Sequence, residues 1–109
     1  MNWDEMLDEY CTTMNCNLKQ YSLAEKTKSK DLRRMKRDRH NAFTAMNAVK
    51  KAYEENPGAS REEVRKQSYK FITSSAILSI ILSAILYTAI CKAIEWFIDR
   101  MYNKETLTY

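Results

Sequence analysis

Three cysteines, one histidine and two acidic pairs are the residues best suited to chemistry in this 109-residue sequence. Cys11 and Cys16, separated by four residues, have loose metal-ligand spacing. A structural zinc site needs four ligands, yet Cys91 and the only histidine, His40, lie far along the chain. An odd cysteine count without regular spacing is not a disulfide framework. Three free thiols in a reducing compartment is the simpler reading. Glu54-Glu55 and Glu62-Glu63 flank a turn and read as helix-end charges. A single Gly and a single Pro leave no phosphate loop and no strand–turn–helix elbow for a nucleophile. The expectation is a chain that is not an enzyme and holds no cofactor or metal.

The other chemistry in the sequence is charge. The net charge is +4, and eight bases crowd into fourteen residues: Lys26, Lys28, Lys30, Arg33, Arg34, Lys36, Arg37 and Arg39. Such a block suits an anionic lipid surface. It also suits nucleic-acid phosphates or an acidic protein, or it is a solvated helix face. No aromatic residue is interleaved for base stacking, so nucleic acid is possible but not favoured, and its binding would be electrostatic.

These residues are positioned by helices. With so few turn formers the chain is expected to be all-α. Residues 2–15 read as a short amphipathic helix with Trp3, Leu7, Tyr10 and Met14 on one face, and Asn15 to Ser22 read as irregular. Residues 29–55 read as a longer helix whose seam runs Leu32, Met35, Arg39, Ala42, Met46, Val49 and Tyr53, flanked by Phe43. Asn56-Pro57-Gly58 is the clearest break, with Gly58 free to take the positive φ of a C-cap. Ser60 and Glu63 then fit a capping box. From Arg61 no stop appears until about Asn103, which predicts one helix of roughly 60 Å. Residues 1–24, 25–56 and 60–103 are the three expected units, followed by a frayed tail, 104–109.

The middle of that long helix carries the dominant feature. Residues 71–91, FITSSAILSIILSAILYTAIC, contain no charge, Gly or Pro. As a helix they would cover roughly 31 Å, about the thickness of a bilayer core, which predicts a single membrane span. Tyr69 and Lys70 at one border and Lys92, Trp96 and Tyr102 at the other suit interfacial anchors. Ser75, Ala76, Ser79 and Ser83 form a small-residue stripe for helix packing. Beyond the run, Ile90, Ile94, Phe97, Ile98 and Met101 share an apolar stripe opposite Lys92, Glu95, Asp99 and Asn103. Fifteen Lys/Arg precede the run and three follow it, which predicts the N-terminus inside and the C-terminus outside. No signal-peptide pattern opens the sequence.

Asn41-Ala42-Phe43 and Glu55-Asn56-Pro57-Gly58 resemble the first helix and turn of an HMG box. The aromatic core that should follow is absent, with the apolar run in its place, and no family is assigned. The expected role is a structural or assembly subunit of a membrane complex, partnered by lipid and by other helical subunits or further copies of itself. One alternative is a holin-like oligomer that permeabilises the membrane, similar to holins in layout only. Another is a soluble helical interaction module.

Overall fold

The computed structural model describes residues 1–74 and 84–106. They form five helices and no strands: α1 (Trp3–Thr13), α2 (Leu18–Thr27), α3 (Leu32–Glu55), α4 (Arg61–Ser74) and α5 (Ala84–Thr106). The all-α expectation holds at this level.

Each helix start has a local cause. The Asn2 side chain accepts a hydrogen bond from the Glu5 amide at the head of α1. Asn17 and Gln20 close a reciprocal capping box at the head of α2, satisfying two amides that would otherwise lack partners. That box makes a helix of a stretch whose polarity suggested an irregular one. The Ser60 hydroxyl accepts from the Glu63 amide at 3.2 Å, and α4 starts at Arg61 as expected. Gly58 does not take a positive φ. The left-handed positions are Asn15 and Lys28, and Lys28 is the C-cap of α2.

α3 is the hub and touches all four other helices. Ala42, Ala45, Ala48 and Ala52 are buried along it together with Met46 and Val49. Small side chains let neighbouring axes approach closely, and alanine has the highest helix propensity. From the opposite side α5 contributes Ile90, Ile94, Phe97, Ile98 and Met101, all buried as their spacing predicts. Val64, Ser68 and Ile72 complete the core from α4, and Met6, Tyr10 and Cys11 from α1. Ser68 is fully buried but satisfied, donating to the Val64 carbonyl at 2.6 Å.

The long helix is corrected. Arg61 bonds to Asp99 and Asn103, and Arg65 and Tyr69 both reach Glu95. Numbers rise along α4 as they fall along α5, so the two helices pack antiparallel. In one continuous helix Arg65 and Glu95 would stand roughly 45 Å apart. The expectation counted Gly and Pro as the only stops. An apolar stripe that buries against α3, plus charges matched across two helices, outweighs the propensity to continue. No helix among the described residues is long and apolar enough to cross a membrane. The small-residue stripe of Ser75, Ala76, Ser79 and Ser83 lies outside the described residues.

Candidate functional site

Two side-chain clusters tie α5 to its neighbours. The first clasps α4 to α5. Arg65 grips both Glu95 oxygens, from Nε at 3.1–3.2 Å and from Nη2 at 2.9 Å, and the Tyr69 hydroxyl donates to Glu95 at 2.6 Å. Burial alone would raise the Glu95 carboxyl, but the bonds from Tyr69 and Arg65 outweigh it and hold the group below its ordinary value. Burial and the same bond push the Tyr69 phenol up. The second cluster ties α5 to α1. Arg100 makes a bidentate pair with Glu9, at 2.8 and 3.1 Å, and Tyr10 packs on Trp96 and Phe97 at 5.2 and 5.5 Å between ring centroids.

Three of the expected interfacial anchors therefore serve the fold. Tyr69 holds Glu95, Trp96 sits half-buried among aromatic rings, and Tyr102 donates to the Ala59 carbonyl at 3.2 Å. Lys70 and Lys92 are exposed and make no ion pair with a described residue. The pairing of Arg65 with Glu95 and of Arg61 with Asp99 puts these two lysines towards the same end of the hairpin.

At that end lies a groove of about 530 Å³ between α1 and α5. Its walls include Tyr10 of α1, the α1 C-cap Met14, and Ala84, Ile85, Thr88, Ala89 and Lys92 of α5. Ile85 is 80 % exposed and Met14 37 %. Among the described wall residues Lys92 alone is charged. No sequence signal marked the groove, because it joins residues some seventy positions apart.

The basic block divides. Arg34 donates to the Met14 and Asn15 carbonyls at 3.0 and 3.3 Å and pairs with Asp38 at 3.0 Å. Arg39 donates to the Cys16 carbonyl at 2.9 Å, its guanidinium 5.4 Å from the centre of the Tyr21 ring. Both cap carbonyls at and just beyond the C-terminus of α1, where acceptors lack helical partners and positive charge is favoured. That is why a charge interrupts the seam of α3. Lys26, Lys28, Lys30, Arg33, Lys36 and Arg37 are exposed. Because Arg34 holds Met14, the basic end of α3 adjoins the groove. Phe43, 50 % exposed, lies farther along α3.

Cys11 and Cys16 are buried beside one another, and the Cys16 amide donates to the Cys11 carbonyl at 2.8 Å. Burial first, then the neighbouring Cys16, pushes the Cys11 thiol up to about 12. Burial likewise raises the Cys16 and Cys91 thiols. Among the described residues no three His, Cys, Asp or Glu side chains are grouped to hold a metal ion.

Compared with known proteins, the chain matches no family model, no curated protein and no solved structure.

Proposed function

We propose that the chain is a non-catalytic structural or assembly subunit that attaches to a membrane by its apolar run, with both described flanks of the run on the same side rather than on either side of a single crossing. The observation that carries this reading is the Arg65–Glu95–Tyr69 clasp. It sets the two described ends of the run, 71–74 and 84–91, on antiparallel helices at one end of the bundle. That end then offers apolar surface to lipid, with Ile85 the most exposed large apolar side chain among the described residues. Both flanks of the run face the same leaflet, in place of the N-inside, C-outside arrangement of a span. The bases before and after the run then lie on one side, where an interfacial segment holds Lys and Arg at headgroup level.

Fractionation of cells producing the full chain, followed by salt washing and by protease applied from either side, tests this. The expected result is a membrane-bound protein whose two termini are cut from the same side. Recovery in the soluble fraction overturns it. Cleavage of the termini from opposite sides favours a span.

A second reading is a soluble helical interaction module. The observation in its favour is that α5 buries its whole apolar stripe against the chain's own helices. Soluble recovery as a folded helical protein is its expected result.

A further inference from the structure

The groove between α1 and α5 differs from the bundle's other hollows in the company it keeps. The hollow beneath the α3–α4 turn is walled by Glu55, Glu63 and Lys66 with Asn56 and Gln67, so its charge is mixed. The α1–α5 groove is mostly apolar, with Thr88 and Lys92 as the polar side chains of its α5 wall. Its α1 wall ends at Met14, whose carbonyl is held by Arg34. On α3, Arg37 follows Arg34 by three positions and so shares its side of the helix, and Arg33 and Lys30 precede it closely. Lys30, Arg33 and Arg37 are exposed, as is Lys92 across the groove. Most acids of this end are engaged: Asp38 pairs with Arg34 and Arg37, Asp8 accepts from the Leu18 amide, and Glu95 lies under Arg65 and Tyr69, while Asp31 is exposed beside Lys30 and its side chain does not cap α3. An exposed, largely apolar patch is thus bordered by four exposed cations, Lys30, Arg33, Arg37 and Lys92, with Asp31 as the one exposed acid between Lys30 and Arg37.

We infer that this end recognises an anionic lipid bilayer, with Met14 and Ile85 entering the acyl boundary and Lys30, Arg33, Arg37 and Lys92 meeting phosphate headgroups. The inference rests on the membrane reading above and adds the charge of the surface to it. Apolar contact alone does not distinguish one lipid headgroup from another. Each basic residue held near an anionic leaflet strengthens binding roughly fivefold, so removing two weakens it by roughly one to two orders of magnitude. Arg34 and Arg39 are outside the binding set, because their guanidinium groups are committed to carbonyls of the α1–α2 turn.

The test is flotation of the full chain with vesicles of phosphatidylcholine alone and with vesicles in which roughly a third of the lipid is phosphatidylglycerol. The expected result is strong flotation with the anionic vesicles, abolished by salt, and weak flotation with the neutral ones. Replacing Arg33 and Lys92 together by Glu reduces the anionic binding at least tenfold in expectation, whereas Lys66→Glu, on the far side of α4, does not. Ile85→Asp lowers binding to both vesicle types. Each variant is first shown by circular dichroism to keep its helical content. Equal binding to both vesicle types overturns the charge recognition and leaves membrane attachment standing. Binding to neither removes both. Retention on single-stranded RNA without flotation also overturns the inference and reassigns these bases to nucleic acid.

Discussion

At the scale of single residues, the three thiols divide by burial. Only the thiolate attacks an alkylating agent, and burial keeps Cys11 and Cys16 protonated as well as out of reach. Cys91 is only partly buried. Alkylation at neutral pH followed by mass spectrometry is expected to modify Cys91 first, and Cys11 and Cys16 only when the chain unfolds. Early modification of Cys11 in the folded protein would contradict the packing of α1. Lys28 offers a second prediction. It ends α2 with φ 52° and ψ 47°, a conformation that costs a side-chain-bearing residue roughly 1 kcal/mol. Lys28→Gly is expected to stabilise the protein by about 0.5–1 kcal/mol in denaturant titration. The sequence pointed to Gly58 for such a position, since glycine is the default left-handed residue. Nothing in the identity of Lys28 announces that the chain must turn there to bring α3 alongside α1.

At the scale of elements, the α4–α5 clasp is pH-sensitive. The folded Glu95 carboxyl titrates below its ordinary value of about 4.3, so near that value the unfolded chain binds the proton more readily. The stabilisation is complete above about pH 5 and is lost as pH falls through the folded value. Glu95→Gln is expected to cost about 1–2 kcal/mol at neutral pH, a modest figure because the pair is partly solvated, and to flatten the acid side of the stability curve. A variant with unchanged acid sensitivity would remove Glu95 from that role. The capping arginines give a parallel contrast. Arg39→Ala leaves the Cys16 carbonyl without its donor and is expected to cost about 1 kcal/mol, while Lys36→Ala, exposed on α3, changes thermal stability by no more than about 0.5 kcal/mol. Much at this scale was legible. Period 3.6 placed the stripe of α5 and the seam of α3, and the Ser60–Glu63 pattern placed the start of α4. What was not legible depends on pairing at a distance. Arg65 and Glu95 are thirty positions apart and Glu9 and Arg100 ninety-one, separations at which local periodicity carries no information. The same limit turned two antiparallel helices into one long helix.

At the scale of the whole molecule, the antiparallel pairing makes a distance prediction. Spin labels placed on exposed Glu63 and Asn103 stand at neighbouring positions across the hairpin. In a continuous helix they would be separated by roughly 60 Å. Dipolar measurement on the full chain, in solution and with vesicles, is expected to give a short distance in both conditions. A long distance with vesicles alone would mean that the hairpin opens into a span on lipid. That outcome would restore the architecture suggested by the uncharged run and make the closed bundle its off-membrane form.

The placement of α1 has a practical consequence. The chain has two tryptophans, and both lie on surfaces that α1 shares with its neighbours. Trp3 belongs to α1 itself and meets Tyr53 of α3 at 6.1 Å, and Trp96 of α5 lies under Tyr10. Release of α1 would expose both indoles to water while α3, α4 and α5 stayed packed. The protein's intrinsic fluorescence is therefore a built-in gauge of one helix. A red shift that precedes the loss of helical signal during titration would report α1 leaving the bundle ahead of global unfolding.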